Sequence, residues 1–184
     1  MALILASGSP RRRELLEELG LRPVICTPDI DETPLPDEQA AAHVERLAIE
    51  KGSAVEATSE DVVISADTIV TIDGQLLGKP TNEAHATDML RQLSGRTHEV
   101  MTGVAISSNG ATESFVEVTV VHFAELTDAD IAWYVDTGEP SDKAGAYAMQ
   151  GRGGAFVTAI EGSYDNVIGL PRYRLRAHLT AQIM

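Results

Sequence analysis

The spacing of apolar residues along the chain predicts a mixed α/β fold. The chain opens on an apolar run over Ala2–Ala6, which is typical of a buried strand, and Leu15, Leu16 and Leu19 then follow at helical spacing. Further strands are predicted at 23–27, 62–65, 69–72, 98–107, 114–123 and 155–160, with helices at 37–57, after Thr81, after Thr127 and near Pro171. This mixture of helices and strands indicates a central mixed sheet flanked by helices.

Turn and capping residues mark where these elements begin and end. Ser9 followed by Pro10 is a typical helix start, and the Thr127 to Asp130 spacing fits a capping box. Asn109-Gly110 lies between two long strand-like runs and predicts a tight antiparallel hairpin. Residues 138–154 contain few apolar side chains, so we expect a loop outside the core.

Composition and charge narrow the class of protein. A chain of 184 residues is long enough for a single domain, which we place at 1–184. The net charge of −14 argues against a general binder of nucleic acid or anionic membranes. Cys26 is the one cysteine, which excludes an intrachain disulfide, and neither a signal peptide nor a membrane span is visible. We therefore predict a cytoplasmic protein.

The first strand, the turn Ser7-Gly8-Ser9 and the following helix form a candidate anion site. Arg11, Arg12 and Arg13 occupy the first helical turn, where the positive end of the helix dipole disfavours cations. A phosphate bound there would accept hydrogen bonds from free backbone N–H groups, from Ser7 and from the arginines. The alternative is a plain strand–helix turn whose arginines point to water.

Three acidic residues are candidates for metal binding and proton transfer. Asp67 follows an apolar strand, while Asp31 and Glu32 lie in a loop rich in proline and acid. Mg²⁺ bound with a triphosphate takes one or two carboxylates, and a carboxylate can also accept the proton of an attacking water. The alternatives are a solvated loop for Asp31 and Glu32 and an Asx turn between two strands for Asp67.

Lysine is scarce in this chain, so its positions are informative. Only three of the 14 basic residues are lysines: Lys51, Lys79 and Lys143. Lys51 occupies a position in the second helix where the pattern predicts an apolar residue, while Lys79 and Lys143 fall in loops. Lys79 and Lys143 could complete a phosphate-binding cleft, and the alternative for both is an ordinary lysine on the surface.

Taken in order, several segments resemble the Maf family of nucleoside triphosphate pyrophosphatases. The matching segments are LILASGSPRRRELLEELG, AIEKG, SADTIV, GKP, MLRQLSGRTHEVMTGVA, YVDTGEPSDKAGAYAMQGRGG and GSYDNVIGLP. The resemblance implies a mixed sheet in two lobes with a cleft, similar to inosine triphosphatases. It also implies metal-dependent hydrolysis of a nucleoside triphosphate to the monophosphate and pyrophosphate, with Mg²⁺ or Mn²⁺ as the cation.

Carried over residue by residue, the resemblance assigns roles within this chain. It places phosphate binding on Ser7, Arg11 and Arg12, and the catalytic acidic pair on Glu32 and Asp67. Asp67 matches the proton acceptor of the family, and the same two carboxylates would hold the metal. The catalytic lysines fall on Lys51 and Lys79.

Base specificity is also implied by the resemblance. Arg11, Thr68 and Gln150 match the family branch that acts on dTTP and UTP, whereas the 7-methyl-GTP branch has a glutamate where Gln150 stands. A glutamine offers a donor and an acceptor, as the edge of uracil or thymine requires. Pyrimidine nucleoside triphosphates, with CTP and modified pyrimidine nucleotides as possible additions, are therefore the expected substrates.

Two other functions stay open at this point. A sugar nucleotidyltransferase also opens on a Gly-rich segment with arginine after the first strand, but it would need a sugar-phosphate co-substrate. A nucleotide-binding regulator of septum formation would bind without turnover and would not need Asp67. The family resemblance further implies a homodimer.

Overall fold

The structure is a computed structural model that describes residues 1–183, with side chains described as far as residue 179. Its strands are β1 (Leu3–Ala6), β2 (Val24–Cys26), β3 (Val62–Ile72), β4 (Gln75–Leu77), β5 (Thr97–Ser108), β6 (Ala111–Phe123) and β7 (Val157–Glu161). Its α-helices are α1 (Pro10–Glu18), α2 (Ala40–Ser53), α3 (Glu83–Leu93), α4 (Asp128–Val135), α5 (Tyr164–Ile168) and α6 (Arg172–Ile183). Three short 3₁₀ turns lie between residues 139 and 156.

The seven strands form one mixed sheet, as predicted. Six of the strands are hydrogen-bonded in the order β2-β1-β3-β5-β6-β7. The seventh, β4, pairs with β3 outside this order. β1 runs parallel to both β2 and β3, whereas β4 is antiparallel to β3 and β7 is antiparallel to β6. No helix among the described residues is both long and apolar enough to cross a membrane.

The prediction of two separate strands at 62–65 and 69–72 is wrong, because β3 is continuous. Its first part pairs with β1 over Val62–Ser65, and its last part pairs with β4 over Val70–Ile72. β5 is also hydrogen-bonded to β3 in the sheet, and the residues between the two pairings stay extended within the same strand. Asp67 therefore lies inside a strand, and the Asx-turn interpretation of this residue is also wrong.

Smaller differences from the predicted pattern concern helix ends and one loop. α2 is shorter at both ends than the predicted 37–57, and Asn82 rather than Thr81 caps α3 by accepting a hydrogen bond from the backbone of His85. The segment at 138–154 was expected outside the core, yet Tyr147 is buried there. α5 was not predicted, whereas the Asn109-Gly110 turn is confirmed by positive φ at both residues.

The described chain divides into two compact units. Unit 1 contains Met1–Thr68, Thr102–Glu117 and the chain from Gly169 onwards, and unit 2 contains Ile69–Met101 and Val118–Ile168. Unit 2 has a large apolar core contributed by its helices, strands and 3₁₀ turns. The single domain predicted over 1–184 stays a prediction.

Close packing in unit 1 requires a glycine at position 103 of β5. A Cβ atom there would lie 2.2 Å from the carbonyl oxygen of Val44 in α2, and backbone cannot move aside as a flexible side chain can. We expect Gly103→Ala to lower the free energy of unfolding by about 2–3 kcal/mol through overpacking. Urea unfolding measures this. Gly78→Ala is the control, because its added Cβ has no atom within 4 Å and its backbone is not in the left-handed region.

A buried histidine in unit 2 predicts how stability depends on pH. The Nε2 atom of His98 lies 2.9 Å from the hydroxyl oxygen of Tyr147, and burial lowers the pKa of His98 from 6.5 to about 4. The unfolded chain therefore binds this proton more readily than the folded chain, so stability falls as the pH drops from about 6.5 towards 4. Between pH 7.5 and pH 5 we expect His98 to account for a loss of about 2 kcal/mol.

The measurement is urea unfolding of the unaltered protein and of His98→Gln at both pH values. Other groups titrate in this range as well, so the informative quantity is the difference between the two pH dependences. Equal losses of stability in both proteins would contradict the assignment of a neutral, buried His98.

Candidate active site

The turn between β1 and α1 is organised around two serines. Ser9 is the N-cap of α1, and its side chain accepts from the backbone N–H of Arg12. Ser7 is buried, and its Oγ accepts from the backbone N–H of Ser9 at 3.2 Å. Pro10 begins the helix as predicted. The strand, the turn and the helix N-terminus thus have the arrangement that the sequence indicates for an anion site.

Arg12 folds back over this turn and joins three separated parts of unit 1. Its Nη1 donates to Ser7 Oγ at 3.0 Å, its Nη2 to Thr68 Oγ1 at 3.0 Å, and its Nε to the carbonyl oxygen of Gly169 at 2.9 Å. Burial lowers the pKa of Arg12, while the charges of Asp67 and Glu32 act in the opposite direction. Arg12 is therefore a fixed cation beside the acidic residues of the site.

The other two arginines of this turn have different surroundings. Arg13 forms an exposed ion pair with Glu17 one helical turn further on, at 2.7 Å. The family resemblance carries a phosphate-binding role over to Arg11 and Arg12 but not to Arg13, whose guanidinium pairs with Glu17 instead. Arg11 is half-buried in the first turn of α1, and its charge lies close enough to Arg12 to contribute to lowering the pKa of Arg12.

Lys51 connects the two predicted catalytic carboxylates. It lies on the buried face of α2, where its side chain is 10% exposed, and its Nζ is 2.6 Å from both Glu32 Oε1 and Asp67 Oδ1. The break in the apolar stripe of the second helix therefore marks a buried ion-pair cluster. Three predicted site residues from a loop, a helix and a strand meet at one point.

This cluster has the chemistry of a cation site. Its two carboxylates each present an oxygen to the same ammonium group, so both oxygens face one small region. Carboxylate oxygens are the ligands that Mg²⁺ and Mn²⁺ prefer, and Mg²⁺ in a nucleotide site needs only one or two of them. Among the described residues, no group of three or more histidine, cysteine or acidic side chains is placed to hold a metal by itself.

Thr68 is linked to a residue that the sequence did not single out. Its Oγ1 accepts from Arg12 and lies 2.9 Å from the Oγ1 of Thr102, a fully buried residue on β5. Thr102 and Gly169 are both distant along the chain from the residues they contact, Thr68 and Arg12 respectively. No local sequence pattern at Thr102 or Gly169 predicts these two contacts.

Two predicted site residues lie in unit 2. Lys79 is exposed in the loop between β4 and α3, and Gln150 is exposed in the turn that precedes the last 3₁₀ segment. Lys143, the third lysine, forms an ion pair with Asp142 in the same unit. Contacts within unit 1 therefore form two groups of predicted site residues, which meet at the neighbouring residues Asp67 and Thr68 of β3. One group is Ser7, Arg12 and Thr68, and the other is Glu32, Lys51 and Asp67.

The comparisons with known proteins identify the family. A family model described as "Maf-like protein" matches residues 2–182, and the chain belongs to this family. A dTTP/UTP pyrophosphatase of Symbiobacterium thermophilum is 49% identical over 97% of this chain and 92% of its own length. A dTTP/UTP pyrophosphatase of Shewanella denitrificans is 51% identical, over 100% of this chain and 97% of its own length.

Solved structures with low sequence identity share the fold. The Staphylococcus aureus Ham1 protein matches with a TM-score of 0.59 at 14% identity, covering 98% of both chains. A HAM1 protein from Coxiella burnetii matches with a TM-score of 0.54 at 19% identity, covering 97% of this chain and 98% of its own. These likenesses concern the fold alone, and they agree with the mixed α/β class predicted from the sequence.

Proposed function

We propose that this protein is a nucleoside triphosphate pyrophosphatase that hydrolyses dTTP and UTP to the monophosphate and pyrophosphate. The observation that carries the proposal is the contact of Lys51 with Glu32 and Asp67 beside the arginine-bearing helix start. The names of relatives about half identical over nearly the full chain support the choice of reaction and substrate.

In the proposed reaction, the oxygen of a water molecule attacks the α-phosphorus. The bond from the α-phosphorus to the oxygen that bridges the α- and β-phosphates breaks, and pyrophosphate leaves. Asp67 accepts a proton from the attacking water, and its position inside β3 fixes the carboxylate. Arg11, Arg12, Lys51 and Lys79 stabilise the charge that develops on the phosphate oxygens.

Glu32 and Asp67 fit a divalent metal, because both are carboxylates and both face the region that Lys51 occupies. Mg²⁺ or Mn²⁺ bound to these oxygens would supply charge neutralisation on the phosphates and would acidify a bound water. Ser7 and the backbone N–H groups at the start of α1 orient the phosphates by donating hydrogen bonds.

We assign the choice of a pyrimidine base to Arg11, Thr68 and Gln150. The hydroxyl of Thr68 is held by Arg12, which limits its freedom to rotate. Gln150 can both donate to and accept from the edge of uracil or thymine.

A homodimer, which the family resemblance implies, would be detected by sedimentation equilibrium.

The direct test is product analysis with purified protein and Mg²⁺ or Mn²⁺. The substrates are dTTP, UTP, CTP, ATP, GTP and 7-methyl-GTP, each given alone, and ion exchange resolves the products. Monophosphate with pyrophosphate from dTTP and UTP is the expected result. Turnover of 7-methyl-GTP alone would contradict the base assignment, and binding without turnover would favour a regulatory role.

The base assignment makes one further prediction. We expect Gln150→Glu to raise the KM for dTTP by about 10-fold or more. The carboxylate has no N–H group to donate to a carbonyl of the base, so the variant loses a hydrogen bond worth about 1.5 kcal/mol. Steady-state kinetics with dTTP and 7-methyl-GTP measures the change in preference. An unchanged ratio of kcat/KM values would exclude contact between Gln150 and the base.

A further inference from the structure

The proposed function requires Glu32 to be held in place, although Glu32 lies on an exposed loop. The loop between β2 and α2 has no helix or strand of its own, and the side chain of Glu32 is 50% exposed. Its contact with Lys51 fixes only the end of the side chain. A contact to the loop backbone would hold Glu32 at the site more firmly than a contact at the end of its side chain alone.

Glu38, at the end of the same loop, has a buried carboxylate that is fully engaged by its neighbours. Its side chain is 7% exposed, and it accepts two hydrogen bonds from Arg46, from Nε at 2.6 Å and from Nη2 at 2.8 Å. It also accepts from the backbone N–H of Leu35 at 3.0 Å, and it contacts the ring of His43 at 2.9 Å. Arg46 lowers the pKa of Glu38 far below its usual range.

Arg46 extends this contact to the backbone beside Glu32. Its Nη2 donates to the carbonyl oxygen of Thr33, the residue that directly follows Glu32, at 3.3 Å. Its Nη1 pairs with Glu50 one turn along α2 at 3.1 Å, which holds the guanidinium on the helix. α2 therefore holds the acidic loop twice, by Lys51 at the side chain of Glu32 and by Arg46 at the adjacent backbone.

We propose that Arg46, through its paired bonds with Glu38 and its bond to the Thr33 carbonyl, is a positioning residue that sets Glu32 against Lys51 and Asp67. This inference rests on the proposed function, because it assigns Arg46 an effect on the reaction through Glu32. The planar guanidinium forms two parallel bonds to one carboxylate and a further bond to a carbonyl, which a lysine cannot reproduce.

The size of the expected effect comes from other residues that orient a metal ligand without binding the metal themselves. Removing such a residue weakens metal affinity or activity by about 10–100-fold. We expect Arg46→Met to raise the Mg²⁺ concentration for half-maximal dTTP hydrolysis by about 10-fold. We expect Arg46→Lys, which keeps the charge and loses the paired geometry, to fall between Arg46→Met and the unaltered protein.

A double-mutant comparison with Glu32→Gln separates positioning from general damage. If Arg46 acts through Glu32, then Arg46→Met adds no further loss of activity in a Glu32→Gln background. The control is Arg91→Met, which removes an exposed arginine paired with Asp128 in unit 2 and should leave the Mg²⁺ dependence unchanged. An equal fold-loss from Arg46→Met in both backgrounds would overturn the inference.

Amide hydrogen exchange supplies a readout that does not depend on activity. We expect Arg46→Met to speed exchange across residues 31–38 while the rest of α2 keeps its protection. Unchanged exchange in this loop would overturn the inference whatever the kinetics show. Faster exchange together with full activity of Glu32→Gln would mean that Arg46 anchors the loop but that the role proposed for Glu32 is wrong.

Discussion

Asp67→Asn is expected to slow the hydrolysis of dTTP by about 10³-fold or more while the protein stays folded. The substitution keeps the shape of the side chain but removes the proton acceptor and a negative oxygen that faces Lys51. General base catalysis contributes about 10²–10⁴-fold, and loss of a metal ligand would add to this. Single-turnover kinetics with dTTP at saturating Mg²⁺ measures the effect.

The buried position of Asp67 requires a check on folding. The asparagine keeps one oxygen that can accept a hydrogen bond from Lys51, so the thermal transition should stay cooperative. Asp73→Asn is a matched control, because Asp73 is an exposed acid at the end of the same strand, paired with Arg96. Full activity of Asp67→Asn would contradict the proposed mechanism, whereas a loss shared with Asp73→Asn would point to an indirect effect.

Lys51→Met is expected to reduce both activity and stability. The variant leaves Glu32 and Asp67 facing a buried methyl group in place of the cation that both now contact. Breaking a buried ion pair by removing one partner costs about 3–5 kcal/mol, and the exposure of Glu32 reduces this to about 2–3 kcal/mol. We also expect kcat to fall by about 10²-fold, because a charge that stabilises the phosphates is lost.

A distinctive consequence concerns the response to metal ions. Mn²⁺ or Mg²⁺ should raise the melting temperature of Lys51→Met by more than it raises that of the unaltered protein, since the two carboxylates then lack their other cation. Differential scanning fluorimetry over a range of metal concentrations measures this difference. Equal shifts in both proteins would argue against metal binding by Glu32 and Asp67.

Local patterns in the sequence predicted most of the helices and strands, although not β4 or α5, and the start of the site. The Ser9-Pro10 helix start and the Asn109-Gly110 turn are confirmed because their conformations depend on residues next to one another. The isolated Lys51 in an apolar stripe correctly indicated an unusual buried position. The catalytic roles assigned to these residues stay predictions.

Contacts between distant segments could not be predicted in this way. The continuity of β3 depends on its pairing with β1, β4 and β5, which are distant partners that local periodicity does not reveal. The polar Asp67-Thr68 pair was therefore interpreted as an interruption. The partner of Arg12 at Gly169 lies 157 residues away, and nothing in either segment specifies that pairing. A contact of this kind depends on the tertiary fold, which local periodicity does not determine.

The discontinuity of unit 1 has a consequence for synthesis on the ribosome. Because a chain emerges from its N-terminus, β1, α1 and α2 are made long before Gly169, whose carbonyl accepts from Arg12. A nascent chain that ends before this residue lacks one of the three bonds that hold the guanidinium. The turn proposed to bind phosphate therefore gains its full set of Arg12 bonds only after a further 157 residues have been synthesised, so its ordering lags far behind its own synthesis.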